Sequence, residues 1–556
     1  MNVRRAAVLV GSVALMTASA GAFAQGTSVP RNWHLLSYEK DSVYGIAADK
    51  AYKELLKGKK STPILVAVID SGIDTTHEDL RSILWTNPKE IPGNNIDDDG
   101  NGYVDDIHGW NFLGNKDGRN MKEDTDEATR EYFRYRRIYG NPDSTLDKTS
   151  REYAYWQRLV DKVVKPVSQY KANYRTMVKV QENMKKSAYI LTSYLKQDDF
   201  TKAKLDSIET TDQDVMVAKQ FMLRLFKING DDTNVAYLEF KSEFEEYFKD
   251  LKKKAERNDE MLVDKRPEII GDKQDDINDK FYGNNDVMAG SPFHGTHVAG
   301  IIAASRNNGI GMDGVADNVR IMAIRAVPDG DERDKDVALA IRYAADNGAR
   351  VINMSFGKSF SPNKDWVDDA IKYAQSKGVL MVHAAGNDSN DNDRVDNFPS
   401  PHFNDHTIAT NVLTVGASGS GRSLTSRVAN FSNYGKTEVD LFAPGVQIYS
   451  TVDGGNKYAS ASGTSMAAPV VTGVAALVLS YYPTLTAPQL KMILEKSAVP
   501  PRDSLVIKPG SDEKVPFSSL SVTGGIVNAY NALKMADSIV NGDKKTKPKM
   551  QPVKKG

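Results

Sequence analysis

Five short apolar runs punctuate the chain. They are "PILVAVID" at 63–70, "VRIMAIRAV" at 319–327, "RVINMSF" at 350–356, "VLMVHAAG" at 379–386 and "NVLTVGA" at 411–417. Their length, β-branched content and lack of a polar face predict strands buried on both sides. Between the later runs lie "KDVALAIRYAADNG" and "DWVDDAIKYAQSKG", which have helical spacing. Each ends in a glycine suited to a helix C-cap. Alternating strand and helix predicts an α/β fold, a parallel sheet covered on both faces. Functional groups in such folds collect beyond the carboxyl ends of the strands.

From about 119 to 281 the texture changes to polar, Lys-, Glu- and Tyr-rich sequence with few glycines. Val160, Val163, Val167, Tyr170, Tyr174, Met177, Met184, Ala188, Leu191 and Leu195 recur at three-and-four spacing. That spacing predicts a long amphipathic helix, which Pro166 either kinks or starts. "DVMVAKQFMLRLFKI" and "NVAYLEFKSEFEEYFKDLKKKAER" read as further helices. The segment is large enough to be a helical subdomain inserted into the α/β unit. It carries no metal-ligand or nucleophile cluster.

Composition narrows the class. The chain has 556 residues, 40% hydrophobic and 26% charged, with a formal net charge of -1. A chain of this length suggests two or three folding units, and its charge balance argues against nucleic acid as a partner. There are no cysteines, so disulfides, thiolate catalysis and cysteine zinc sites are excluded. Residues 1–24 have a basic start, an apolar run and a small-x-small end at Ala22-Phe23-Ala24, the pattern of a cleavable export signal. No later run is expected to span a bilayer, so the mature chain is expected to be exported, periplasmic or secreted. Residues 538–556 are polar and basic, the composition of a disordered tail.

Four stretches carry candidate chemistry. Asp70 ends the first strand in "VAVIDSGID", where a turn or cap is the simplest role for an aspartate. "HGTHVAGIIAA" begins at His294; its two histidines lack the intervening glutamate and third ligand of a zinc site. "HAAGND" places Asn387 just after a strand. "SGTSMAAPVVTGVAALVLSYY" sets Ser465 at the start of a helix apolar on nearly every side. A serine there usually caps the helix, but free N–H groups at that end also stabilise an oxyanion. The order Asp, His, Asn, Ser assembles a set: a hydroxyl needs an imidazole to take its proton, and the imidazole needs a carboxylate.

With "VAVIDSGID", "HGTHVAG", "AAGN" and "GTSMAAP" together, the chain closely resembles the subtilisin-like serine proteases. The resemblance covers about 61–118 and 282–537, and implies the three-layer subtilisin-like fold with the helical insertion between the Asp and His motifs. It implies a serine endopeptidase acting on polypeptides through an acyl-enzyme, with Asp70, His294 and Ser465 as triad and Asn387 as oxyanion donor. "NMSFG" resembles the family's substrate-binding strand. Ser355, Phe356 and Gly357 would then pair with the peptide, and Ala384, Ala385 and Gly386 would form the other wall of a broad, apolar-tolerant pocket. The chain also departs from the family. Asp70 and His294 lie 224 residues apart, far beyond the usual spacing. Residues 25–60 are too short for the usual inhibitory prodomain and resemble a lead-in to the catalytic domain. The insertion reads as a solvated helical unit with no chemistry of its own; one hypothesis is that it covers or filters the cleft. Two other functions fit the motifs: a non-catalytic binding protein on this scaffold, and an esterase, although the G-x-S-x-G elbow is missing.

The remaining feature is "NNIDDDGNGYVDDIHGWNF" at 94–112. Asp97, Asp99, Asn101 and Asp105 match positions of a calcium loop, with His108 where the closing glutamate belongs. A second register uses Asn95, Asp97, Asp99 and Asp106. So many carboxylates repel one another without a cation, which favours structural calcium over a solvated turn. The resemblance adds Asp79 and Asn308 as a second calcium position, balanced against a hydrogen-bonded turn. No organic cofactor is expected.

Overall fold

The computed structural model describes residues 29–545, apart from 141–146, 229–235, 257–263, 422–423 and 503–504. The export-signal segment 1–24 and residues 546–556 of the basic tail lie outside the described residues. The chain divides into two compact units, one built from Ala128–Val263 and one from Arg31–Glu127 with Asp264–Gly556.

The larger unit is built on seven parallel strands. They are β1 (Ile64–Asp70), β2 (Gly109–Asn111), β3 (Val319–Arg325), β4 (Val351–Met354), β5 (Leu380–Ala384), β6 (Val412–Ser418) and β7 (Leu441–Pro444). Their order is β2-β3-β1-β4-β5-β6-β7, with β1 in the interior between β3 and β4. All five expected strands are present. The short β2 and β7 were not expected; three or four residues carry too little pattern to register. The helices are α1 (Phe293–Ala303), α2 (Asp334–Asp346), α3 (Lys364–Ser376), α4 (Thr464–Tyr481), α5 (Ala487–Ser497) and α6 (Ala529–Lys545).

Strand alternation divides the core between the two faces. Ala67, Ile69, Met322, Ile324, Ile352, Met354 and Met381 pack with Val337 and Ile341 of α2 and Ile371 of α3. On the other side α4 lies against β4, β5 and β6 and packs on α1. Gly348 and Gly378 follow α2 and α3 with φ of 86° and 74°, the left-handed cap the sequence called for. By length and composition α4 would cross a membrane, contrary to the expectation that no later run would. It is the buried core helix, with 89% of that stretch enclosed.

Several boundaries differ from those expected. The lead-in belongs to the larger unit: Trp33, Leu35, Val43 and Ile46 are buried, and the Ala529 N–H donates to the Ile46 carbonyl. Residues 119–127 and 264–281 also belong to it, which shortens the insertion at both ends. At the carboxyl end α6 runs on to Lys545, past the point where a disordered tail was expected.

The smaller unit is helical. Pro166 caps Val167–Leu195, separating it from Arg151–Val163, so the proline marks a true helix start. Met177, Met184, Ala188 and Leu191 pack with Met222, Leu225, Phe240, Phe244 and Leu251 in a core of its own.

Three buried histidines of the larger unit tie its stability to pH. Burial drives His34 and His297 down to about 3 and His383 to about 4. Unfolded, each titrates near 6.5, so the unfolded chain binds protons that the folded chain refuses. Their contribution is therefore complete above about pH 6.5 and is lost as pH falls toward 4 and below. His383→Gln should flatten the decline of Tm between pH 6.5 and 4 relative to the parent chain, as measured by thermal denaturation across that range.

Candidate active site

Asp70 sits at the carboxyl end of β1 and is buried to 2% exposure. Its Oδ1 accepts from its neighbour's amide, Ser71 N, at 2.8 Å and lies 2.7 Å from His294 Nδ1. A carboxylate only accepts, so the proton of this bond sits on Nδ1. His294 stands in the first turn of α1, its side chain 37% exposed. The helix can approach this closely because Gly295 has no side chain: a Cβ there would lie 2.1 Å from the Gly72 carbonyl oxygen and 3.1 Å from Asp70 Cβ. The second histidine of the motif, His297, is a core residue whose Nε2 lies 3.1 Å from the Ala459 carbonyl. It is not paired with His294 as a metal ligand.

Ser465 occupies the first turn of α4, half-buried. Its Oγ donates to the Ser355 carbonyl at 3.0 Å, and Ser355 Oγ donates in return to the Ser465 carbonyl at 2.9 Å. Behind this pair Asn353 Nδ2 donates to Ser355 Oγ and Thr472 Oγ1 to Asn353 Oδ1, each at 2.9 Å. A buried polar chain thus fixes the start of α4 to the end of β4. The usual cap role of a first-turn serine is not observed; no side-chain cap bond closes this helix.

Asn387 follows β5. Its Oδ1 accepts from Thr464 N at 2.8 Å and Thr464 Oγ1 at 3.0 Å, which turns Nδ2 away from that anchor. A Cβ built on Gly463 would lie 3.5 Å from Ser465 N, and 3.6 and 3.8 Å from Asn387 Nδ2 and Oδ1. The Ser465 amide and the Asn387 carboxamide thus border one small space.

Sequence reasoning missed the residues that hold this loop. Asn433 is buried to 4% exposure. Its Oδ1 accepts from Asp388 N and Asn390 N, and its Nδ2 donates to the Ala385 carbonyl at 2.9 Å. Gly386 has φ of 101°, and a Cβ there would lie 2.5 Å from Asn433 Nδ2. The second asparagine of "NFSNYG" gives no hint of this position; only the folded contact does.

The expected substrate walls divide by function. Phe356 turns its carbonyl inward, 2.8 Å from His383 Nε2. The Ser355 carbonyl is instead the acceptor of Ser465 Oγ, and Gly357 is exposed. Asn397 bridges this stretch to the second wall. Its Nδ2 donates to the Ala384 and Ala385 carbonyls at 3.2 Å each, and its Oδ1 lies 2.7 Å from a Cβ position on Gly357. A carboxamide thus stands between walls that were expected to enclose an apolar-tolerant space.

The acidic loop differs from either expected register. Asp97 and Asp99 come together with Glu90, their carboxylate oxygens all within 4.8 Å of one another. Glu90 was not foreseen, since it precedes the motif by a full turn of chain. Asp105 is buried and accepts from Gly93 N and Asn95 N, so it shapes a turn rather than joining the cluster. Asn101 is engaged by Tyr103 N and by Asp106. Asp106 lies under Tyr343, whose hydroxyl donates to it at 2.6 Å, and burial lifts it to about 6. His108 Nδ1 lies 2.7 Å from the Trp85 carbonyl. Elsewhere, Asn308 Nδ2 donates to Asp79 Oδ1 at 2.5 Å, and Met312 N and Tyr458 OH bond to Asp79 Oδ2.

The sequence model of the subtilase family matches residues 61–529. The chain belongs to the subtilase family. A thermophilic serine proteinase of Bacillus sp. (strain AK1) is 47% identical over 188 residues, which is 34% of this chain and 42% of that protein. Subtilisin DY of Bacillus licheniformis is 38% identical over 213 residues, 38% of this chain and 72% of that protein. Thermitase of Thermoactinomyces vulgaris is 34% identical over 254 residues, 46% of this chain and 79% of that protein. The match thus spans under half of the Bacillus AK1 proteinase and about three quarters of the other two.

Within this subtilase, Asn433→Ala should destabilise the fold by about 1–3 kcal/mol, because buried amide and carbonyl partners lose their bonds. Chemical denaturation of the two chains measures it; an unchanged midpoint would mean the loop is held by other contacts.

Proposed function

We propose that this chain is a serine endopeptidase. One observation carries the reading: Asp70 fixes the His294 tautomer at 2.7 Å while the Ser465 amide and the Asn387 carboxamide border one space beside the serine. In the proposed reaction His294 Nε2 takes the proton of Ser465 Oγ as the oxygen attacks a peptide carbonyl. The carbonyl oxygen becomes an oxyanion in the space next to Gly463, between the Ser465 amide and Asn387. His294 then gives the proton to the leaving amine, and water releases the acyl group by the same steps. Asp70 stays ionised and stabilises the imidazolium. Before attack Ser465 Oγ has to leave the Ser355 carbonyl, and that carbonyl then becomes free to accept from the substrate backbone. Gly357 extends the same edge.

The polypeptide substrate class is supported by that added-strand edge and by the named activity of the relatives. Export is supported by the pattern of residues 1–24. A phenylmethylsulfonyl fluoride reaction tests the nucleophile: one covalent mark on Ser465, lost in Ser465→Ala together with peptide cleavage, is expected. No mark would leave a binding protein, and ester cleavage without peptide cleavage an esterase. Gly463→Ala is a sharper test. Its backbone is extended, φ 171°, so alanine fits without strain, yet the methyl fills the oxyanion space. We expect kcat to fall about a hundred- to a thousand-fold, the range known for losing such a donor in subtilisin, with Tm nearly unchanged.

We also propose a structural calcium ion at Glu90, Asp97 and Asp99. The donors suit it: three carboxylates converge, and Glu90 Oε2 is buried without a hydrogen-bond partner. Burial raises the Glu90 carboxyl, which an adjacent divalent cation would reverse. The ion would supply positive charge only, bracing a loop anchored by the packing of Tyr103 on Trp110 and Tyr343. Asp79 and Asn308 are a weaker second position, since they bring one carboxylate where the first gathers three. Calcium should raise Tm in the parent chain and fail to do so in Glu90→Gln and in Asp97→Asn/Asp99→Asn. Equal calcium shifts in all three would remove this site.

A further inference from the structure

The segment "ERDKD" at 332–336 leads into α2, and four of its five residues are buried: Glu332, Asp334, Lys335 and Asp336. Its charges meet the chain where the insertion leaves and returns. Arg333 donates from Nε to Asp124 at 2.8 Å and from Nη2 to Asp264 at 3.2 Å, joining the outgoing and returning strands of chain. Asp336 accepts both terminal nitrogens of Arg266 at 2.7 Å, and Asp272 accepts from Arg266 and from Lys335. These ties already secure both ends of the insertion.

One further bond has a different geometry. Lys358 Nζ lies 2.7 Å from Glu127 Oε2 and 2.7 Å from Asp334 Oδ1, and donates to the Glu332 carbonyl at 2.9 Å. Its side chain is 2% exposed. Glu127 is the last residue before the insertion unit, and its amide donates to Asp331. Lys358 directly follows Gly357, and its backbone exchanges two hydrogen bonds with Phe398, at 3.1 and 2.9 Å. A buried ammonium is fixed by its anions, because breaking the pair strands a charge away from water. The ion cluster holds the Lys358 side chain while Phe398 holds its backbone, so both constraints meet one residue beyond the edge offered to substrate.

We propose that Lys358 is a positioning residue: the Glu127–Lys358–Asp334 cluster sets the Gly357 edge from the outgoing root of the insertion, and so tunes binding of the peptide segment that precedes the cleaved bond. This rests on the endopeptidase reading above. It makes the root of the insertion, at Glu127, part of substrate recognition.

The test uses the full chain and two chromogenic anilides that share the residue at the cleaved bond, one with a single residue before the anilide and one with four. In Glu127→Gln, which keeps shape and removes charge, KM for the four-residue substrate should rise about ten-fold with kcat unchanged. The single-residue substrate and the rate of sulfonyl fluoride labelling of Ser465 should not change. Lys358→Arg should keep most of the parent KM, and Lys358→Met should lose it. An equal fall on both substrates marks general loss of the active fold and overturns the proposal. So does an unchanged KM for the four-residue substrate in a Glu127→Gln chain whose Tm shows that it is folded. Should the parent chain neither cleave nor label, the endopeptidase reading fails and takes this one with it; cleavage intact with unaltered KM overturns the coupling alone.

Discussion

A carboxylate with 2% exposure has to be held by donors, and Asp70 has two on one oxygen: its neighbour's amide and an imidazole 224 residues away. The rest of the site follows from bringing that imidazole back. The long detour is less costly than it looks, since loop closure grows only logarithmically; a tenfold longer connection costs about 2 kcal/mol more. What matters is that both ends of the detour are gripped locally. Arg333 joins Asp124 to Asp264, and Arg266 is locked between Asp272 and Asp336. From Asp264 onward the chain returns as though the insertion were a short loop, and Gly295 lets α1 settle against Asp70.

How far this was legible in the sequence depends on the kind of signal. The five apolar runs were legible because burial on both faces leaves few polar residues, and no polar face, to blur them. Asp70, His294, Asn387 and Ser465 stood out as candidates because four motifs fall in one order, and the fold brings Asp70 to His294 and Asn387 to the residue before Ser465. The supports were not. Thr464, Asn433 and Asn397 act through a few polar contacts made only in the fold, and a Thr or Asn has the same appearance in any surface turn. The pentad 332–336 looks like a solvated charge run. Its burial becomes intelligible only once Arg266 and Lys358, far away in the chain, are seen to neutralise it.

The acidic loop shows the same limit from the other side. Its spacing suggested that consecutive alternate residues would face one centre. In the fold, Asp105 and Asn101 are consumed in holding the loop's own amides, and Asp106 is drawn into the core by Tyr343. Asp97 and Asp99 also accept loop amides, from Asn101 and Gly102, yet their oxygens gather with Glu90, which lies before the motif begins. A linear pattern can propose ligand chemistry, but which carboxylates come together is decided by the path the backbone takes.

The backbone's own demand for hydrogen-bond partners explains the construction of the site. Parallel strands end abruptly, so the loops beyond them lose the ladder that would hold them. Here side-chain amides take over. Asn433 bonds the loop at Ala385, Asp388 and Asn390; Asn392 and Asn397 add donors to the Ala385 carbonyl. Thr464 grips Asn387, while Asn353 and Thr472 brace Ser355. Such groups have few rotatable bonds and make directional contacts, so they fix atoms at low entropic cost. An oxyanion space is useful only if its donors are already aimed before charge develops. The asparagines around Ala385 supply that rigidity where the sheet cannot, and the buried ions around Lys358 do the same for the neighbouring edge.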